Sequence, residues 1–297
     1  MWAHYALGMT LFQLGRPEAA RPHFQQALAS YDRGKRPTQR ALQDPGVACL
    51  SYTANSLWHQ GYPDRARSKS REAIALARTL GHPFTTAYAL TLAGVMCQFC
   101  EDADEAQALA ASASALSSEH GITYFMAWGP ILHGWTLAVH GKVEEGVAEL
   151  RRGINAYVAT GAALSLPYFL MLLVDAHRRG EQVQEALDVL AEAQGLINRT
   201  EERWMEPEIH RLHGELLLAA SPTDVTGAER RFREALDQAQ RQGQLSLALR
   251  AALSLGRLQR TEGRTDEARG IISGLYGRFT EGFATRDLRE AATFLEL

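Results

Sequence analysis

Two short motifs carry side chains that could ligate a metal ion. Cys97-x-x-Cys100 has the spacing of half a zinc site, and His210-x-x-His213 places two imidazoles on one helix face. A zinc site needs about four ligands, and Cys49 is the one further cysteine, so buried thiols are the favoured interpretation. For the histidines, packing and local hydrogen bonding is favoured over a weak metal site completed by nearby glutamates. We predict no metal and no cofactor.

Catalytic motifs are not evident in the sequence. The ten histidines are scattered, and the chain has neither a nucleophile elbow nor a G-x-x-x-x-G-K-[ST] phosphate loop. No pair of carboxylates has a spacing that gives a reason for acid–base chemistry. We predict that this chain is not an enzyme.

Charge and composition narrow the range of partners. The net charge is -3, which argues against nucleic acid or an anionic membrane as a bulk partner. Three cysteines are an odd, small number that fits a reducing compartment, and we find no signal peptide and no apolar stretch of about 18 residues. We expect a cytoplasmic protein. Because the sequence starts within a helix without a polar cap, we also expect a piece of a longer protein.

Small residues recur along the chain at a spacing of about 40 residues. Helices that pack within about 8–10 Å of each other need small residues where their axes approach. Three such series therefore predict seven pairs of packed helices, with Val174 and Leu275 as larger exceptions. The series are Gly8, Ala54, Gly94, Gly134, Val174, Gly214 and Gly256; Ala20, Ala66, Ala106, Gly146, Ala186, Ala228 and Ala268; and Ala27, Ala73, Ala113, Gly153, Ala193, Ala235 and Leu275.

Helix start and stop signals give approximate bounds for each pair. Proline begins some second helices, and glycine ends several of them or marks the turn between helices, as at Gly15, Gly61, Gly141, Gly180 and Gly263. The first helices are predicted near 2–14, 47–60, 84–99, 123–140, 163–179, 204–219 and 244–261. The second helices are predicted near 17–31, 63–80, 103–119, 143–159, 182–199, 224–241 and 265–279.

The spacing of Leu7 and Gly8 to Ala20, Phe24 and Ala27 resembles the tetratricopeptide repeat, and the resemblance covers nearly the whole chain. It implies an all-α fold, a right-handed α-solenoid of about seven helix pairs. We expect one superhelical domain over residues 1–297, with a capping helix near 284–296. The irregular stretch 32–46 is predicted to be an insertion, for which a mobile loop is one interpretation.

Four segments also resemble the C-terminal tetratricopeptide region of large bacterial signalling proteins. In that family an adenylate or guanylate cyclase domain, or another output domain, precedes a STAND or AAA-type ATPase and then the array. The resemblance implies that the chain is the sensor or regulatory arm, with no catalytic role of its own. The segments are QDPGVACLSYTANSLWHQGYPDRA, WGPILHGWTLAVHGKVEEG, ERWMEPEIHRLHGELLL and GLYGRFTEGFATRDLREA.

By analogy with tetratricopeptide proteins, fixed positions on the first helices face a concave groove. These positions are aromatic in the first four pairs and charged in the last three, and aromatic and arginine side chains are favoured in interfaces. The alternatives are that the aromatic residues fill space between helices and that the charged residues pair with one another in solvent. The predicted groove residues are Trp2, Tyr5, Asn55, Trp58, Tyr88, Trp128, Trp135, Tyr168, Asp175, Arg178, Arg211, Glu215, Arg250 and Arg257, with Phe12, Glu208 and Arg260 at related positions.

Two functions remain in competition. The first is a protein-interaction module that holds a protein or peptide segment, a partner domain or other domains of its own chain in the groove. The second is a metabolite sensor that stacks a ring or a sugar on the aromatic half. Self-association through the ends of the solenoid is a further possibility. A clamp for a terminal carboxylate around Asn55 is rejected, because the lysines that it needs are not at groove positions.

Overall fold

The computed structural model describes residues 1–32 and 42–296 of the chain, so residues 33–41 of the predicted insertion lie outside the described residues. The described residues form fifteen helices and no strand. Seven helix pairs follow one another, and a single helix ends the series. The helices are α1 Trp2–Gln13, α2 Pro17–Ala29, α3 Pro45–His59, α4 Pro63–Leu80, α5 Pro83–Phe99, α6 Ala103–Glu119, α7 Thr123–Val139, α8 Val143–Ala159, α9 Leu166–Arg179, α10 Val183–Thr200, α11 Glu206–Ala220, α12 Val225–Arg241, α13 Leu245–Thr261, α14 Thr265–Tyr276 and α15 Arg286–Glu296.

Small residues lie where the two helices of a pair approach each other. A Cβ atom built on Gly134 in α7 would lie 2.6 Å from the carbonyl oxygen of Gly146 in α8. In the first pair, the ring of Phe24 lies against Gly8, where an added Cβ would come within 2.6 Å of it. These contacts confirm the reason for the repeating small residues, since a larger side chain would push the helices apart.

Several boundaries differ from the predictions by two or three residues, and at α3 and α9 the cause is local side-chain and backbone geometry. α3 begins at Pro45 rather than near residue 47, because Asp44 caps it by accepting a hydrogen bond from the Val47 amide at 3.0 Å. Asp44 and Pro45 therefore belong to a capped helix start, and the prediction that the insertion reaches residue 46 is wrong. α9 begins at Leu166 rather than near residue 163, because Ser165 takes a left-handed conformation with φ of 71°.

Gly180 lies in the turn between α9 and α10, as predicted, but it is not the left-handed residue of that turn. The sequence assigned this turn to Gly180, by analogy with Gly15, which has φ of 74°. In the structure the left-handed residue is Glu181, with φ of 57°. Glutamate pays a steric cost in this region that glycine does not.

The solenoid closes on itself, which the repeat pattern did not indicate. α13, the first helix of the seventh pair, contacts α3 in the second pair. Ser246 donates a hydrogen bond from Oγ to the carbonyl oxygen of Trp58 at 2.5 Å, and the Arg203 amide donates to the carbonyl oxygen of Gln13 at 2.7 Å. We call this junction between the first two and the last two pairs the seam.

Trp204 lies at the centre of the closed superhelix. It is buried, and its ring centroid lies 5.4 Å from that of Phe12, 6.0 Å from His59, 5.8 Å from Phe99 and 5.1 Å from Tyr168. These contacts join helices α1, α3, α5 and α9 to the residues just before α11. The hydrophobic core is therefore continuous across the axis of the superhelix as well as between neighbouring helices.

Candidate functional site: an arginine–carboxylate pocket

A pocket of about 460 Å³ opens on the C-terminal half of the solenoid. Its walls come from the first helices α9, α11 and α13, from the end of α5 and from α15. Asp175 and Glu215 follow the small-residue position of their helix by one residue, so neighbouring first helices direct them into the same space. The charged residues of this arginine–carboxylate pocket are Arg178, Arg179, Arg211, Arg250, Arg257 and Arg286 with Glu101, Asp175, Glu208, Glu215, Asp287 and Glu290.

On α9, Asp175 joins two arginines. Its Oδ1 accepts a hydrogen bond from Arg178 Nη2 at 2.6 Å, and its Oδ2 accepts one from Arg179 Nε at 2.8 Å. Burial alone would raise the pKa of Asp175, but the two guanidinium groups outweigh burial and hold the pKa well below its usual value. Arg178 also lies 3.4 Å from Glu215 and so links α9 to α11.

Arg211 on α11 is almost completely buried and is held by carboxylates on both sides. Its Nη2 and Nε donate to the two oxygens of Glu208 at 2.7 and 2.9 Å, a bidentate arrangement. Its Nη1 donates to Glu215 and, at 3.3 Å, to Ser254 Oγ of α13. Burial would raise the pKa of Glu208, but Arg211 and Arg250 hold it below its usual value.

Arg250 on α13 connects the pocket to the capping helix and to the seam. Its Nη2 donates to Asp287 of α15 at 2.7 Å and to the carbonyl oxygen of Phe99 at 2.9 Å. Its guanidinium carbon also lies 5.5 Å from the centre of a Trp58 ring. The floor of the pocket is therefore a fixed set of buried, fully partnered charges.

The charges at the rim are more exposed than those at the floor. Arg257 pairs with Glu290, and its side chain is 48% exposed. Arg286 pairs with Glu290 at 2.9 Å and with Glu101, and its side chain is 53% exposed. Exposed pairs of this kind are worth about 0–1 kcal/mol, so a ligand can exchange them at low cost.

The twelve charged residues balance one another, and the pocket can therefore bind groups of either sign. Among the described lining residues there is no histidine, cysteine or lysine, and the hydroxyl of Ser254 is engaged with Arg211 and Glu215. Such a set of side chains is suited to recognition by exchange of ion pairs and hydrogen bonds.

The charged half of the predicted groove lies together in this pocket. Trp135 borders it but is only 1% exposed. The sequence predicted six of its charged residues as groove residues and named Glu208 at a related position. Those six are Asp175, Arg178, Arg211, Glu215, Arg250 and Arg257.

The prediction of an open aromatic groove is wrong. Trp58, Trp128 and Tyr168 are at most 5% exposed, because the closed solenoid packs other helices against the concave side of the first pairs. The Trp128 ring meets that of Phe169 edge-on at 4.6 Å, and Tyr168 donates a hydrogen bond to Gln98 at 3.0 Å.

The remaining predicted residues of the first pairs do not line the pocket. Tyr5 and Asn55 are 7% and 3% exposed, and Tyr88 is half-buried. Trp2 is exposed at the start of α1, where its ring meets Tyr5 edge-on. The alternative interpretation, in which aromatic residues fill space between helices, holds for Tyr5 and Tyr88 but not for Trp2.

The sequence analysis did not predict the pocket residues that lie outside the repeating positions of the first helices. Glu101 lies in the turn after α5, and Arg286, Asp287 and Glu290 lie on the capping helix. The acidic and basic residues of α15 share one helix face, which signals an exposed or partnered stripe. Nothing in that stripe indicates that it faces α13 and α5.

Burial and packing account for the cysteine and histidine motifs that were considered as metal sites. Cys97 and Cys100 are buried free thiols, as favoured from the sequence, and burial raises the pKa of Cys100 to about 11. Burial also lowers the pKa of His210, and that of His213 to about 4. His210 Nδ1 lies 3.6 Å from a carboxylate oxygen of Glu234.

None of the described helices is long and apolar enough to span a membrane.

Two family models match parts of the chain. Both are described as tetratricopeptide repeat, and they match residues 2–33 and 210–282. An uncharacterized protein of Rhizobium meliloti (strain 1021) is 24% identical over 257 residues, which are 85% of this chain and 25% of that protein. The chain thus spans about a quarter of the length of the curated relative that it matches.

Solved structures with the same fold include a Rap protein complexed with competence and sporulation factor. It has a TM-score of 0.60 at 13% identity and covers 98% of this chain and 76% of its own. Aspartyl phosphate phosphatase F from Bacillus subtilis has a TM-score of 0.57 at 12% identity and covers 92% and 68%. A chain of an APC/C hetero-tetramer has a TM-score of 0.58 at 14% identity and covers 97% and 51%. The chain is therefore an all-α solenoid that contains tetratricopeptide repeats.

Proposed function

We propose that this chain is a non-catalytic interaction module that binds a protein segment, or a neighbouring domain, at the arginine–carboxylate pocket. The observation that carries the proposal is the arrangement of six arginines and six carboxylates around one cavity, with a buried floor and an exposed rim. Arginine is enriched at protein interfaces, and it recognises carboxylates through two hydrogen bonds at once.

Binding at this pocket proceeds by exchange at the rim. A peptide that carries both signs of charge replaces the Arg257–Glu290 and Arg286–Glu290 pairs with pairs of its own. The floor pairs around Arg211 stay in place, because breaking a buried pair leaves a charge without a partner. The rim therefore supplies the contacts, and the floor fixes their geometry.

We further propose that the chain is the sensor arm of a larger cytoplasmic signalling ATPase or cyclase. The resemblance of four segments to such proteins supports this role, as does a relative in which the matching region is a quarter of a longer protein. In that setting the partner includes other domains of the same full-length chain. One protein of the same fold is complexed with competence and sporulation factor, and another is in a hetero-tetramer.

The aromatic half of the predicted groove offers no open surface on which a metabolite could bind. Trp58, Trp128 and Tyr168 are packed inside the closed solenoid and cannot stack a ligand without opening it. The charged pocket, in contrast, offers exposed polar groups at its rim.

Peptide selection from a random dodecapeptide library on the purified chain tests the interaction role. The affinity of the selected peptides is then measured for the wild type, for Arg178→Gln and for Arg71→Gln. Arg178 is a half-buried pocket residue, whereas Arg71 is an exposed residue of α4 far from the pocket. We expect Arg178→Gln to weaken binding at least tenfold and Arg71→Gln to have no effect. Equal affinities for all three proteins would contradict the proposal.

The sensor role is tested in the full-length protein. We expect Arg178→Gln in that protein to change how the ATPase or output domain responds to a selected peptide, whereas Arg71→Gln should leave the response unchanged. An unchanged response in Arg178→Gln would show that the array does not regulate the rest of the chain.

A further inference from the structure

A second groove, of about 550 Å³, lies beside the mouth of the arginine–carboxylate pocket. It runs between α13 and α15 and has Leu253 and Phe294 at its base. We call it the arginine groove. Its lining residues are Leu253, Arg257, Arg260, Arg286, Arg289, Glu290, Thr293 and Phe294.

The charge of this groove opposes that of the whole chain. Four arginines and one glutamate line it, whereas the chain as a whole carries a net charge of -3. The single glutamate, Glu290, is shared by Arg257 and Arg286. The groove is therefore a concentrated positive surface on an acidic protein.

Two of the four arginines have no ion-pair partner among the described residues. Arg260 lies with its guanidinium carbon 5.0 Å from the centre of the Phe294 ring, and Arg289 makes no ion pair within that part of the chain. Both residues are exposed. Their charges are available to a ligand without the loss of an existing salt bridge.

Helix geometry sets the arginines at regular intervals along both walls. Arg257 and Arg260 are three residues apart on α13, and Arg286 and Arg289 are three residues apart on α15. Each interval is about 4.5 Å along the helix axis, and the stretch from Arg286 to Thr293 is about 10.5 Å. An extended peptide of about three residues spans that length.

We propose that the arginine groove binds a short acidic peptide segment in which carboxylates flank an apolar side chain. The carboxylates pair with Arg260 and Arg289, and the apolar side chain lies on Phe294 and Leu253. This inference rests on the proposed interaction function and names the chemistry of the partner. Each guanidinium group presents a planar, two-pronged donor that matches a carboxylate, and the arginines repeat at intervals that a short peptide spans.

Fluorescence anisotropy with a labelled heptapeptide tests the inference. The probe is fluorescein-labelled Gly-Glu-Asp-Leu-Glu-Asp-Gly, and the reference is the same peptide with Gln and Asn in place of the acids. The test variant is Arg260→Ala/Arg289→Ala, which removes no salt bridge of the fold. The matched control is Arg71→Ala/Arg78→Ala on α4, two exposed arginines whose removal changes the net charge equally. Far-UV circular dichroism verifies that each variant is folded.

We expect the acidic probe to bind the wild type and the α4 control alike, and to bind the groove variant at least tenfold more weakly. Binding should weaken as NaCl rises from 50 to 500 mM, because exposed charges are screened. Equal binding of the groove variant, or equal binding of the neutral reference peptide, would overturn the inference. So would tighter binding of a phosphoserine peptide or of a single-stranded oligonucleotide, which would assign the groove to phosphate.

A failure of this inference can be distinguished from a failure of the proposed function. Arg178 lines the arginine–carboxylate pocket but not the arginine groove, so Arg178→Gln should bind the acidic probe as the wild type does. If library peptides bind at the pocket while the acidic probe fails, the interaction function stands and the acidic partner is wrong.

Discussion

At the scale of single residues, the pocket floor depends on charges that are buried together. Arg211 and Glu208 are each less than a tenth exposed, and they form two hydrogen bonds with each other. Glu215 accepts a hydrogen bond from the third nitrogen of the same guanidinium group. Because the floor is largely shielded from water, removing one partner would leave a buried charge without compensation.

Removing the central arginine should be strongly destabilising. We expect Arg211→Met to lower the free energy of unfolding by about 3–5 kcal/mol, because Glu208 and Glu215 lose their shared partner. Urea unfolding followed by circular dichroism measures the change. Arg71→Met, at an exposed position, is the control and should change stability by at most about 0.5 kcal/mol. A loss for Arg211→Met as small as that of the control would contradict this prediction.

His59 should make the protein less stable in mild acid. It is fully buried, and burial together with nearby Arg250 lowers its pKa from 6.5 to about 3. Below pH 6.5 the unfolded chain therefore binds a proton that the folded chain does not, so stability falls as the pH drops. The contribution of one such histidine is at most about 1.4 kcal/mol per pH unit.

The substitution His59→Phe isolates this effect. We expect the slope of unfolding free energy against pH, measured between pH 4.5 and 6.5, to become shallower by nearly one proton. His210 and His213, whose pKa values are also lowered, account for a remaining slope. An unchanged slope in the variant would show that His59 titrates normally in the folded protein.

At the scale of elements, the crossing of α7 and α8 shows how little space the helix pairs leave. At Gly146 an added Cβ would lie 2.5 Å from the carbonyl oxygen of Gly134. Each of these two glycines therefore faces the backbone of the other helix. Backbone cannot rotate away as a flexible side chain can. The small residue is therefore a requirement of the pair's geometry.

Two glycine substitutions of the same kind should have opposite effects. Gly146→Ala should destabilise the fold by about 1–3 kcal/mol through overpacking at the α7–α8 crossing. Gly270→Ala, at an exposed position of α14 with nothing within 4 Å of the added Cβ, should stabilise by up to about 1 kcal/mol through helix propensity. Thermal unfolding of the two variants provides the comparison. Stabilisation by both would show that helix propensity outweighs packing at the α7–α8 crossing and would contradict this prediction.

The helices and their pairing were the part of the fold that could be predicted from the sequence. Small residues and proline or glycine at helix ends locate the pairs within a few residues, because those features are local. The charged row at Asp175, Arg211 and Arg250 could be placed on the concave side for the same reason. Glu101 and Asp287 could not, since a turn and a capping helix bring them there and neither follows the repeat.

At the scale of the whole molecule, the closed solenoid explains why the aromatic prediction failed. A repeat pattern reports contacts between neighbouring pairs, whereas Ser246 and Trp58 meet across most of the chain. Closure buries the concave side of the first pairs around Trp204 and leaves the pocket open between α9, α11, α13 and α15. No local signal in the sequence encodes the degree of closure.

Closure should also make unfolding cooperative. We expect urea unfolding of the wild type to give coincident transitions by far-UV circular dichroism and tryptophan fluorescence. Trp204→Ala should lower stability by about 3–5 kcal/mol and separate the two transitions, because it removes the core that joins the halves. Trp2→Ala, at an exposed ring, should leave both transitions coincident. Coincident transitions in Trp204→Ala would contradict the proposed role of the core.

The seam has a mechanical consequence. An open array of helix pairs is compliant, since each pair can rotate slightly on the next. In this chain the hydrogen bonds of Ser246 and Arg203 join the first two pairs to the last two, so they would carry part of a load applied between the two ends. We therefore expect the molecule to be stiff while the seam holds and to lengthen abruptly once it breaks. A signal that leaves this chain as motion would therefore be a step between two lengths rather than a graded stretch.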